Sequence, residues 1–176
     1  EKKLYLMDGN QIRDTFPVGV GREQFPTPIG NWKVVEKSRD WGGGFGPRWL
    51  GLNVPWGKYG IHGTNRPHSV GRHASHGCIR LLNPDIAALF PKVPLGTRVH
   101  IEGPILGLGE GLPKTLVRGD RGSLVLLVEN RLKAAGYYHG PLDGWFGAGL
   151  EEAVKRYQKD HHLKITAQIR LDEYLQ

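Results

Sequence analysis

The sequence predicts a mainly β part over residues 1–103, a linker over 104–113, and a small three-helix α module over 114–176. Three observations carry this. The first part is rich in β-branched and aromatic segments cut by glycine and proline, which suits a sandwich or barrel with long loops. Gly103 to Pro113 holds four glycines and two prolines, the composition of a linker. Beyond it the hydrophobic period changes to that of a helix.

Taken in order, Lys3 to Met7 reads as a strand, Asp8-Gly9-Asn10 as a hairpin turn and Gln11 to Val18 as the return strand. Asn31 to Glu36 and Arg98 to Glu102 are further strands. Asn83 to Phe90 is the helix of this part, with Pro84 in its first turn. In the second part Val125, Val128, Leu132 and Ala135 recur at helical spacing, with Ser123 as N-cap and Gly136 as the stop. Ala153, Val154, Tyr157 and His161 mark a second helix; Leu171, Tyr174 and Leu175 mark a short third. Such a module buries only a small core.

The net charge of +7 is uneven. Residues 1–103 carry 14 Lys/Arg against 8 Asp/Glu, whereas residues 104–176 carry 10 against 9. The positive field therefore belongs to the first part. From charge alone solubility is the leading reading, and among partners an anionic polymer or a carboxylate-bearing substrate suits the field. The basic residues are scattered and no recognition helix or ribonucleoprotein motif is present, so nucleic acid is not an expected partner. No apolar run approaches a membrane span. The chain starts at Glu1 and not at Met, and reads as a processed form. Any membrane attachment would be through a removed N-terminal segment.

Cys78 is the only cysteine. It lies in Ser75-His76-Gly77-Cys78-Ile79-Arg80, sixteen positions after Ile61-His62-Gly63-Thr64. A thiol becomes reactive when a base or cation stands near it, so one cysteine with two histidines in glycine-rich loops points to covalent catalysis. Cys78 would attack a carbonyl carbon, with His62 or His76 taking the proton. Gly77 allows close backbone approach. The Gly77 and Cys78 amides would face a developing oxyanion, and the planar fork of Arg80 would meet a carboxylate. Two other readings stand beside this one. His62, His68, His73, His76 and Cys78 lie within seventeen residues and suggest a metal, although no second cysteine or acid accompanies them. A buried, inert thiol is the third reading. The polar neighbourhood ranks catalysis first, and neither metal nor cofactor is expected.

These residues resemble a known family. Tyr59-Gly60-Ile61-His62-Gly63-Thr64, followed by Ser75-His76-Gly77-Cys78-Ile79-Arg80-Leu81 and Asn83, is similar to the catalytic motif of bacterial L,D-transpeptidases. Pro17 to Gly21 and Thr27 to Gly30 fit the upstream elements of that family, and the likeness covers nearly all of residues 3–102. The resemblance implies a β-sandwich-like catalytic fold and a cysteine-dependent activity that cross-links peptidoglycan, with no cofactor. Cys78 matches the nucleophile and His62 the proton acceptor. His76 shapes the loop or tunes the thiol. Gly63 and Thr64 orient His62; Ser75, Gly77 and Asn83 flank the site; Arg80 holds the stem peptide. A stem tetrapeptide would lose D-alanine to a Cys78 thioester, which an amine of a second stem would resolve. Resolution by water, giving an L,D-carboxypeptidase, is the alternative, and a non-catalytic wall-binding protein is a third class.

The second part resembles the three-helix peptidoglycan-binding domain that accompanies cell-wall enzymes. The likeness lies in Leu116 to Gly122, Leu132 to Tyr138, Leu142 to Gly147 and Ala153 to Gln158. It implies wall binding and an extracytoplasmic location, whether secreted, periplasmic or wall-associated. A packing module that braces the enzyme is the alternative, and Tyr137, Tyr138 and Trp145 would either stack on sugars or belong to the core. Three positions depart from that family: Glu129 stands for glutamine, Leu150 for threonine, and Ile165 to Gln168 for an Asp-Gly turn.

Overall fold

The computed structural model describes residues 2–22, 24–39, 43–103 and 115–170. The chain divides into two compact units, Glu1–Glu102 and Gly103–Gln176. The linker at 104–113 and the third helix at 171–176 lie outside the described residues.

The first unit is mainly β. Strands β1 (Lys3–Asp8) and β2 (Gln11–Pro17) form an antiparallel hairpin. Asp8 pairs with Gln11, which leaves a two-residue loop, and Gly9 opens it at φ 60°, the left-handed region a hairpin turn needs. A five-stranded sheet runs in the order β8-β6-β5-β4-β9. Its members are β4 (Gly30–Arg39), β5 (Arg48–Leu52), β6 (Tyr59–His62), β8 (Ile79–Arg80) and β9 (Arg98–Ile101). Strand β3 (Val20–Gly21) pairs in parallel with β7 (His73–Ser75). The β6–β8 pair is also parallel, with Ile61 opposite Ile79 and His62 opposite Arg80. That pairing sets the two sequence motifs side by side.

Helix α1 (Asn83–Leu89) begins where expected, with Pro84 in the first turn, where its missing N–H costs nothing. It buries Ile86 and Leu89. With Trp49, Leu50, Leu81, Val34 and Trp32 these make the core of this unit. Each such side chain contributes roughly 1.5–3 kcal/mol relative to exposure.

In the second unit α2 (Ser123–Ala134) and α3 (Ala148–Asp160) pack around Val125, Val128, Leu132, Phe146, Leu150 and Val154. Gly122 is the N-cap of α2 and Ser123 its first helical residue, one position from the expected cap. Gly122 sits at φ 131°, a conformation that serine resists. Gly136 stops α2 as expected: at φ 86° it donates to the Lys133 carbonyl at 3.1 Å while Tyr137 donates to that of Leu132 at 2.8 Å.

Candidate active site

His62 ends β6 and Cys78 enters β8. Because β6 and β8 are neighbours, both side chains reach one cavity of about 350 Å³. Its lining consists of Gly44, Phe45, Trp49, Lys58, His62, Ser75, His76, Cys78 and Arg80. Five of the residues singled out by sequence therefore meet at one wall.

His62 is buried. Its Nδ1 donates to the carbonyl of Gly63, the next residue. A carbonyl only accepts, so the ring proton is on Nδ1 and Nε2 keeps a lone pair. Trp49 stacks on the ring at 5.6 Å between centroids, and Phe45 meets it edge-on at 5.1 Å. Burial pushes the His62 pKa down to about 4; the Gly63 hydrogen bond opposes this and the positive charge of Arg80 adds to it. The imidazole is thus neutral across physiological pH.

Glycine at position 63 follows from packing: a Cβ there would lie 2.3 Å from Asn83 Oδ1. That oxygen accepts the Thr64 amide at 2.9 Å. Asn83 is a strut behind the His62 loop, and Thr64 is buried beside it. Thr64 also accepts the Arg66 amide at 2.9 Å.

The Cys78 loop is tied by Ser75. Its buried hydroxyl donates to the Cys78 carbonyl at 2.6 Å and accepts the Gly77 amide at 3.1 Å. The Gly77 amide is therefore engaged inside the loop and not presented to an oxyanion, which corrects the expectation for that group. Gly77 has φ 115°, and a Cβ there would lie 2.5 Å from Tyr59 Cε1. Only glycine lets the loop pass that ring.

Burial pushes the Cys78 thiol up. A hydrogen bond from the Gly60 backbone and the charge of Arg80 act the other way. Burial also pulls the Arg80 guanidinium down; Cys78 raises it and Arg66 lowers it. Arg80 Nε is buried with no hydrogen-bond partner among the described residues. The site at rest is a neutral thiol and a neutral imidazole beside a cation.

His76 is exposed and accepts at Nε2 from Arg22 Nη2 at 2.7 Å. Sequence reasoning missed Phe45, Trp49 and Lys58 as lining residues. Trp49 had a usable signal, an aromatic residue in a strand-like run, and it stands opposite His62 in the β5–β6 register.

In the second unit the three expected aromatic contacts separate. Trp145 is 41% exposed, with the Arg121 guanidinium 5.1 Å from its ring. Tyr137 is half-buried and donates its hydroxyl to Asp160 at 2.8 Å. Tyr138 is core, at 5% exposure, and its hydroxyl donates to the Pro141 carbonyl at 2.7 Å. A buried, satisfied phenol has no face to offer a sugar.

Residues 1–101 match the family model of the YkuD L,D-transpeptidase catalytic domain, and residues 121–169 match that of a "putative peptidoglycan binding domain". "Putative L,D-transpeptidase YkuD" of Bacillus subtilis is 44% identical over 100 residues, 57% of this chain and 60% of that protein. "Probable L,D-transpeptidase YbiS" of Escherichia coli is 35% identical over 138 residues, 60% of this chain and 43% of that protein. The chain thus spans about three fifths of the first relative's length and less than half of the second's. Among solved structures, an L,D-transpeptidase from Stackebrandtia nassauensis superposes with a TM-score of 0.50 at 24% identity, covering 58% of this chain and 51% of that one. The Ldtfm–avibactam carbamoyl enzyme does so with a TM-score of 0.51 at 24% identity, over 58% and 46%. Those two likenesses concern the fold. The catalytic-domain model covers more than half of the sequence, and on that match the chain belongs to the YkuD family of L,D-transpeptidase catalytic domains, followed here by the segment that matches the putative peptidoglycan binding domain.

Proposed function

We propose that this chain is a cysteine-dependent L,D-transpeptidase that cross-links peptidoglycan stem peptides outside the cytoplasm. One observation carries the reading: Cys78 and His62 line one cavity, with His62 Nδ1 bound to the Gly63 carbonyl and its Nε2 left to accept a proton. Cys78 Sγ attacks the carbonyl carbon of the amide that precedes a terminal D-alanine. Its proton passes to His62 Nε2. Because both groups rest neutral, proton transfer accompanies the attack. Arg80 favours the sulfur anion and opposes the imidazolium, so it acts on the side of the developing negative charge. Collapse expels the D-alanine nitrogen, which takes the proton from His62, and a thioester remains. An amine of a second stem then attacks the thioester, forms the new amide and returns the thiol.

The same reading takes the first unit as sandwich-like, with buried Phe16 of the β1–β2 hairpin contributing to its core. The second unit is the wall-holding part, with Trp145 its exposed aromatic. Intact-protein mass spectrometry tests the reaction. Incubation with a soluble stem tetrapeptide is expected to add an acyl group to the wild type and none to Cys78→Ala, and an added amine acceptor is expected to discharge it as a cross-linked product. An acylated Cys78→Ala protein, or discharge to the free acid alone with acceptor in excess, defeats the proposal.

A further inference from the structure

We propose that Arg22 is a positioning residue for this site: it fixes the His76 ring at the cavity wall with its proton on Nδ1, so that His76 meets substrate as a hydrogen-bond donor and the base is His62. The inference rests on the L,D-transpeptidase reading above.

The backbone around Arg22 is braced. Its amide donates to the Ser75 carbonyl at 3.0 Å, directly beside the catalytic loop. The Phe25 amide returns to the Arg22 carbonyl at 2.9 Å, and the Gly21 amide donates to Thr27 Oγ1 at 2.8 Å. The chain folds back so tightly that a Cβ on Gly21 would lie 2.1 Å from the Phe25 carbonyl oxygen. From this turn the guanidinium reaches His76 Nε2 at 2.7 Å and lies 5.1 Å from the centre of the Phe25 ring. Phe25 in turn sits 4.9 Å from the His76 ring. Cation, phenyl and imidazole thus hold one another in place.

A guanidinium has five donors and no acceptor. The atom it meets at 2.7 Å must therefore be a lone pair, which places the ring proton on Nδ1. With Nε2 occupied and Nδ1 protonated, His76 has no nitrogen free to take a proton from Cys78. His62 carries the same tautomer by a different device, a carbonyl on its Nδ1 side, and there Nε2 stays free. The two histidines of the cavity thereby receive opposite duties.

Two measurements test this. Nitrogen-15 NMR of the His76 ring reads the tautomer without turnover; the Nδ1–H form is expected in the wild type, with the Nε2–H form gaining in Arg22→Met. An Nε2–H form in the wild type overturns the inference. The rate of Cys78 acylation by a stem tetrapeptide is then compared in wild type, Arg22→Met, His76→Ala and the double variant. Arg22→Met is expected to lose roughly 10- to 100-fold, the scale of a misplaced group, and to add less than about twofold on top of His76→Ala. Alkylation by iodoacetamide, which needs no His76, is expected to stay within about threefold of wild type. Losses that multiply in the double variant, or an equal loss in alkylation, overturn the inference. Arg22→Lys, which keeps a donor, is expected to acylate faster than Arg22→Met; equal rates overturn it too. A wild type that forms no acyl-enzyme with the peptide but alkylates normally fails the L,D-transpeptidase reading instead, while the NMR result still stands for the Arg22–His76 pair.

Discussion

Acidification from pH 7 to pH 4 is expected to destabilise the first unit by about 3 kcal/mol through His62 alone. In the unfolded chain the ring charges below about 6.5, the ordinary value for histidine. In the folded protein it stays neutral down to about 4, because it is buried under Trp49 and faces Arg80. Between those two values the unfolded state binds a proton that the folded state refuses. Stability is therefore full above pH 6.5, falls as the pH drops through the window, and levels off below 4. At about 1.4 kcal/mol per tenfold change in proton affinity, the interval is worth about 3 kcal/mol. Guanidinium unfolding followed by tryptophan fluorescence is a suitable assay, since four of the five tryptophans lie in residues 1–102. Carboxylates also titrate in this range, so the informative quantity is the difference between wild type and His62→Gln. The loss from pH 7 to pH 4 should be about 3 kcal/mol smaller in the variant. A difference under about 1 kcal/mol would show that the ring is hydrated, and the argument for a neutral base at rest would fall with it.

Three further outcomes follow from individual side chains. Burial raises the Glu129 pKa to about 7, with Asp143 adding to the shift, so its folded form is favoured below 4.5 and loses that advantage as pH rises through 7; Glu129→Gln should stabilise the second unit at pH 8 by about 1–3 kcal/mol and have little effect at pH 4.5, read by calorimetry. Ala167 sits at φ 62°, so Ala167→Gly should raise the stability of the second unit by about 1 kcal/mol; a loss on thermal unfolding would mean that the Cβ makes a compensating contact. Gly77→Ala forces a Cβ against Tyr59 at φ 115° and should cost about 2–4 kcal/mol, with Cys78 alkylation altered as the loop shifts; a variant with wild-type unfolding and alkylation would show that the loop yields.

The long elements were legible in the sequence because their signals are local. Lys3 to Met7, the turn at Gly9 and the stop at Gly136 need only alternation or a left-handed residue, and each appears where pattern places it. Strands β3, β7 and β8 have two or three residues, too few for a period. Strands β5 and β6 are interrupted by Gly51 and Gly60, whose signal is a turn, yet both glycines serve close approach: a Cβ on Gly60 would lie 2.6 Å from the Leu50 carbonyl oxygen. The pair Cys78 and His62 was legible as residue chemistry. Phe45, Lys58 and Arg22 were not, because the folding that brings them to the site leaves no spacing in the chain; Trp49 shows in sequence only as an aromatic residue in a strand-like run, and its place opposite His62 comes from the β5–β6 register. Sequence likewise places Ser75 only as a neighbour of the site, whereas its hydroxyl holds the Gly77 amide and the Cys78 carbonyl together.

The second unit shows how a fold survives the loss of its usual turn. Where the resemblance leads one to expect an Asp-Gly turn, this chain has Ile165 to Gln168, and Ala167 takes the left-handed conformation that glycine would accept freely. Gln158, fully buried on α3, meets the cost. Its Oε1 accepts the amides of Thr166 and Ala167 at 3.1 and 3.2 Å, and its Nε2 donates to the Gln168 carbonyl at 3.0 Å. Leu150, in place of threonine, is buried in the core and needs no hydrogen-bond partner for its side chain. Glu129 is the departure that carries a cost. Its Oε2 accepts the Asp143 amide at 2.9 Å, as a glutamine oxygen would, but Oε1 is buried without a partner among the described residues. Asp143 Oδ1 in turn accepts the Trp145 amide at 3.0 Å, so the exposed tryptophan hangs on the turn that Glu129 holds. A glutamine would supply an N–H where Glu129 now sets one carboxylate against another. The departures at 150 and 165–168 are thus compensated within the module, whereas the one at 129 leaves a buried carboxyl oxygen without a partner among the described residues on the path to Trp145.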